Sequence, residues 1–77
     1  ADDLLNLQGV QASIVLYRQG NGVSMSGRSL GEVNVQVILE QLGGGGNGTS
    51  AGGYVPDSDL DEVRQRVLVA IGNYYIT

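Results

Sequence analysis

The chain has 77 residues, no cysteine, histidine or lysine, and four arginines against eight acidic side chains for a net charge of −4. That inventory excludes disulfide staples, the nitrogen and sulfur ligands of structural zinc, and any Ser-His-Asp or Cys-His catalytic set within the chain. The acidic balance argues against long nucleic acids, which need a basic field. A chain this short is one domain at most and buries only roughly 60% of its unfolded surface. No apolar run approaches the roughly 20 residues that span a bilayer, so a soluble domain is expected. The start at Ala1, without methionine, gives the expectation of a piece of a larger protein.

In chain order, Asp2 and Asp3 precede Leu4, Leu5 and Leu7, which predicts a short helix with acids at its N-terminus, stopped by Gly9. Val10, Ala12, Ile14 and Leu16 alternate with Gln11, Ser13, Val15 and Tyr17, the period of a strand with one core face. Asn21-Gly22 predicts a type I′ hairpin turn. Val23, Met25 and Gly27 then alternate with Ser24, Ser26 and Arg28 in a returning antiparallel strand that Arg28 and Ser29 close. From Asn34 onward, Val35, Ile38, Leu39 and Leu42 fall at helical spacing, ending before Gly43. Ala51 to Val55 predicts a third strand with Pro56 at its end. Asp57, Ser58 and Asp59 supply an N-cap, Asp61 and Glu62 the first turn. Leu60, Val63, Val67, Ala70, Ile71 and Tyr74 form the buried stripe of a last helix reaching about Tyr75. The expected architecture is α+β, a small mixed β-sheet with helices packed on it, in the order helix-strand-strand-helix-strand-helix. A third strand parallel to the second would need a right-handed crossover.

The stretch Gly43 to Gly53 is the one segment whose composition neither a core nor an ordinary turn requires. Each glycine loses more conformational entropy on folding than any other residue, so the cluster calls for a compensating role. Successive amides in such a loop can form a nest for phosphate oxygens, with Asn47, Thr49 and Ser50 adding neutral hydrogen-bonding groups. A flexible linker is the alternative that composition leaves open. Arg28 suits a phosphate through its planar, bidentate guanidinium; a solvated arginine, or a partner for Glu32, is the competing reading. Ser24, Ser26 and Ser29 read as the polar face of a strand. Asp57, Asp59, Asp61 and Glu62 read as helix capping rather than a cation site, and Arg64 and Arg66 as the solvated side of the last helix.

The run Arg28-Ser29-Leu30-Gly31-Glu32-Val33-Asn34-Val35, followed by Ile38, Leu39, Leu42 and Gly43 to Gly46, resembles the DHH-associated domain of DHH-family phosphoesterases. The version it is most similar to stands at the C-terminus of membrane-anchored cyclic-di-AMP phosphodiesterases, and the likeness runs from about Val10 to Tyr75. The resemblance implies that residues 1–77 form a single such domain, a C-terminal fragment of a cytoplasmic enzyme whose parent is anchored to the inner face of the cell membrane. It implies no cofactor in this fragment, and a DHH domain of the same chain, across a cleft, holding two manganese ions through its own Asp and His residues. The implied ligand is a cyclic dinucleotide or short linear oligonucleotide, with phosphate bound by Arg28, Ser29, Gly44, Gly45, Gly46 and position 47. The fragment itself is then expected to be catalytically inactive. An accessory domain of this kind is also expected to expose an apolar face, including Leu4, Leu5 and Leu7, through which a homodimer would form.

Position 47 departs from the family pattern. The family has histidine there, where this chain has Asn47, followed by Gly48 in place of a bulkier residue. Asparagine hydrogen-bonds phosphate but never carries an imidazolium charge, a loss on the order of 1.5 to 3 kcal/mol. Two further readings stay open: a nucleotide-sensing module without turnover, and a dimerisation domain whose glycine loop is a tight connector.

Overall fold

The computed structural model describes residues 2–7 and 11–76. Seven elements follow in order: β1 (Asp2–Leu7), β2 (Ala12–Gln19), β3 (Gly22–Ser29), α1 (Val35–Glu40), β4 (Gly45–Asn47), β5 (Ser50–Val55) and α2 (Leu60–Ile76). The strands form one sheet in the order β1-β2-β3-β5-β4, and both helices pack on one of its faces. The class is α+β, as the hydrophobic periods require. Among the described residues no helix is long and apolar enough to cross a membrane.

Three expectations need correction. Asp2–Leu7 is a strand, not a helix. A six-residue helix is marginal by itself, whereas the antiparallel register with β2 sets Leu5 opposite Ile14 and Leu7 opposite Ala12 on the core face. Of the three leucines read as an exposed face, Leu7 is buried, Leu5 packs against the core, and only Leu4 is exposed. Asp3 meets Arg64 of α2 at 2.9 Å, so that arginine is not simply solvated. Gly9 as the terminator and Val10 as the start of the next strand lie outside the described residues.

The second correction is the sheet, in which every pairing is antiparallel. The cause is a short strand, β4, that hydrophobic alternation cannot reveal because two of its three residues are glycine. The chain leaves β3, crosses through α1 into β4 running in the direction of β3, and then turns back as β5 between them. The result is a split βαβ unit.

The third is the first hairpin. Its turn residues are Gly20 and Asn21, with positive φ at Gly20 alone (62°), the φ pattern of a type II′ turn rather than I′. Gly22 instead begins β3, and a side chain is excluded there because a Cβ would strike the Tyr54 ring and the Val55 carbonyl. Asn21 ties this turn to the segment that leaves the neighbouring strand β5: its side-chain amide donates to Asp57 at 2.8 Å and its carbonyl accepts from the Ser58 amide at 3.3 Å.

The core lies between sheet and helices. Ile14, Leu16, Val23 and Met25 from the strands meet Val35, Ile38 and Leu39 of α1 and Val63, Val67 and Ala70 of α2, all buried. Asn34 caps α1, accepting from the Val37 amide at 3.2 Å, and Asp59 caps α2, accepting from the Glu62 amide at 2.8 Å. The Asn34 amide in turn donates to the Tyr74 hydroxyl at 2.9 Å, which joins the start of α1 to the end of α2.

The glycine run begins as a helix cap. Gly43 takes φ 88°, and the bonds Gly43 N to Glu40 O (3.1 Å) and Gly44 N to Leu39 O (2.9 Å) are the paired bonds of a Schellman motif. A Cβ on Gly44 would stand 2.6 Å from the Gly52 carbonyl oxygen, whereas one on Gly45 would meet nothing within 4 Å. Gly44→Ala is therefore expected to lower stability by about 2 kcal/mol, and Gly45→Ala to change it by no more than about 0.5 kcal/mol. Urea unfolding midpoints of the two variants check this contrast.

Candidate functional site

Both helices cover the face of the sheet that carries Ile14, Leu16 and Met25, so the opposite face is open. Directly paired residues of neighbouring strands project to the same face. The registers therefore place Asn6, Ser13, Arg28, Ser50 and Asn47 in one transverse row on that open face, one residue from each strand. Arg28 and Asn47 stand two strands apart, about 9.5 Å between backbones, with Ser50 between them. The arginine and the glycine loop thus converge because β5 carries the loop back alongside β3.

Arg28 is exposed and, among the described residues, makes no ion pair with Glu32 or any other acid. The register sets two hydroxyl-bearing residues, Ser13 and Ser50, on either side of it. Arg28 also lines a pocket of about 140 Å³ with Gln11, Ala12, Ser13, Ser29 and Leu30. Ser29 belongs to the other face of β3. Its hydroxyl accepts from the Gly31 amide at 3.0 Å and shapes the turn toward α1, while its own amide donates to the Thr49 carbonyl at 3.0 Å. That last bond fastens the Arg-Ser segment to the β4–β5 loop.

The loop is a hairpin rather than an open nest. Its turn residues, Gly48 and Thr49, have no positive φ, so the mirror-image turns that normally close two-residue hairpins are absent. Asn47 holds it instead: Oδ1 accepts from the Thr49 amide (3.0 Å), the Thr49 hydroxyl (3.1 Å) and the Ser50 amide (3.0 Å). With the oxygen so occupied, the Asn47 side chain offers a ligand its NH₂ donors. The Gly43 and Gly44 amides are used by the helix cap. Gly45 and Gly46 lie on β4, an edge strand, where alternate residues turn their N–H groups outward. Gly45 shares the open face with Gly52 and Ser26. It has neither positive φ nor a crowded Cβ position, so nothing inside the fold asks for glycine there. Gly46 is different: it takes φ 145°, and its Cβ would collide with the Ser50 carbonyl.

Ser13 escaped the sequence reading because its place beside Arg28 is a matter of register, for which a single strand carries no signal. The acids near α2 are spent locally, Asp59 on the cap and Asp57 on Asn21. Among the described residues no group of three or more Asp, Glu, His or Cys could hold a metal ion.

Residues 1–73 match the DHHA1 domain family. The chain is 50% identical over 76 residues to the cyclic-di-AMP phosphodiesterase GdpP of Geobacillus thermodenitrificans, an alignment that covers 97% of this chain and 12% of that protein. It is 42% identical, with the same coverage, to the cyclic-di-AMP phosphodiesterase PdeA of Listeria monocytogenes. Over 75 residues it is 39% identical to the bifunctional oligoribonuclease and PAP phosphatase NrnA of Thermus thermophilus, covering 92% of this chain and 23% of that one. The chain thus spans between 12% and 23% of the length of these relatives. A family match along nearly the whole chain, with half the residues shared with one relative, makes this chain a member of the DHHA1 family, the DHH-associated domain of DHH-family phosphoesterases.

Proposed function

We propose that this domain binds the phosphate of a cyclic dinucleotide or a short linear oligonucleotide and presents it to a DHH domain of the same protein. The observation that carries this reading is the unpaired, exposed Arg28, set in one row with Ser50 and Asn47 on the open face. Arg28 supplies the charge and a bidentate fork. Asn47 and the outward amides of β4 supply neutral donors, and Ser29 holds the arginine segment to the loop. The relatives' names support the ligand class, a cyclic dinucleotide for GdpP and PdeA and an oligoribonucleotide for NrnA.

The described residues do not fit a metal centre, so manganese belongs in this reading to the partner DHH domain, where it would activate the attacking water. This domain's own contribution is to hold and orient phosphate. In the longer protein the domain occupies residues 1–77 of this numbering and works in the cytoplasm, beside a membrane that other segments of the parent would reach. The pure chain is expected to show no turnover of cyclic-di-AMP or its linear dinucleotide with manganese present, measured by chromatography of the products; hydrolysis would refute the division of labour.

The site itself is tested by titration. Arg28→Ala is expected to weaken binding of a 5′-phosphorylated dinucleotide at least tenfold, the scale of one lost charge-assisted bond. Asn47→His is expected to strengthen it below about pH 6.5, where imidazole is charged, and to bring no gain at pH 8. The gain is limited because histidine cannot reproduce the three bonds that Asn47 Oδ1 accepts. Calorimetry at the two pH values, with the amide shifts of residues 45–47, provides the measurement. Binding indifferent to both substitutions returns the loop to a connector.

A further inference from the structure

Tyr54 lies on the same open face as Arg28, four residues along β5 from Ser50, the residue opposite Arg28. Strand rise makes that about 13 Å. Its ring is held in place. The hydroxyl donates to the Gln19 carbonyl at 3.0 Å and reaches Asn21 Oδ1 at 3.4 Å. The ring itself lies over Gly22, where a Cβ would come within 2.7 Å of its Cζ. Tied at its tip and backed by the strand beneath, Tyr54 still leaves 44% of its surface exposed.

Between Tyr54 and Arg28 the face is flat. Gly52 and Gly45 lie side by side there with Ser26, and Gly45 has no atom within 4 Å of its Cβ position. Glycine weakens a strand interior and commonly marks the close approach of a ligand. From these placements we propose that Tyr54 is a stacking platform for one base of a dinucleotide whose phosphate sits at Arg28, the glycines being the floor between them. The proposal rests on the phosphate site described above and adds a ligand length to it. The span exceeds the reach of one nucleotide from phosphate to base and suits two. Because the ring is already fixed, stacking costs little further side-chain ordering, and any base offers the π-face it needs.

The test is calorimetric titration of the chain with 5′-phosphorylated linear diadenylate, adenosine monophosphate and inorganic phosphate. Tyr54→Leu is expected to weaken diadenylate about tenfold, the range for loss of one stacked base. Tyr54→Phe is expected to stay within about twofold of the parent, and neither change should alter phosphate or the mononucleotide. In the unaltered chain, diadenylate should also move the Tyr54 ring protons upfield, a readout that needs no variant. Diadenylate affinity unchanged by Tyr54→Leu, with ring protons that do not shift, overturns the platform while leaving the phosphate site standing. Equal loss for mononucleotide and diadenylate overturns the length selection. Binding of phosphate and diadenylate that ignores Arg28→Ala rejects the phosphate site, and the platform with it.

Discussion

The packing of α1 against Gly27 governs the rest of the molecule. A Cβ at Gly27 would stand 3.2 Å from Val35 Cβ and 3.4 Å from Leu39 Cδ1, so the helix rests nearly on the backbone of β3. From that seat the Schellman cap at Gly43 and Gly44 turns the chain to the sheet edge, and β5 returns into the vacant place beside β3. β5 lies there with Ser50 opposite Arg28, the pairing on which the candidate site depends. A bulkier residue at position 27 would lift the helix and shift the loop without touching a ligand-facing side chain.

The glycines of the run divide by cause. Gly43 serves the helix cap, while Gly44 and Gly46 leave room for carbonyls of the neighbouring strand. These have structural reasons, and their entropic cost is offset by the bonds and close contacts they allow. Gly45, half-buried on the arginine side of the sheet, has no such reason. By composition the run is uniform; the structure separates a scaffold part, Gly43, Gly44 and Gly46, from Gly45, where a Cβ would meet nothing within 4 Å.

Asn47 has a structural role that its place in the proposed phosphate site does not require. Its carbonyl oxygen closes a hairpin whose turn residues lack the positive φ that usually does this work. In the site proposed above the positive charge would come from Arg28 alone, with hydroxyls and amides around it.

The sequence by itself determined the strongly periodic parts. Alternation gave away β2 and β3, the spacing of Val35, Ile38 and Leu39 revealed α1, and an Asp cap followed by a long apolar stripe revealed α2, because burial imposes periods of 2 and 3.6 that survive in the residue order. The Arg-Ser element with its glycine run carried the family. What only the tertiary structure decided lacks a period. β1 is a strand because its leucines find Ile14 and Ala12 across the sheet, a contact that outweighs the local preference of acids for a helix start. β4 is silent because glycine has no side chain to alternate, and missing it reversed the direction of β5. The row that unites Ser13, Arg28, Ser50 and Asn47, like the face shared by Arg28 and Tyr54, depends on register between strands distant in the chain. Register is fixed by the packing of the whole core, and no short stretch of sequence records it.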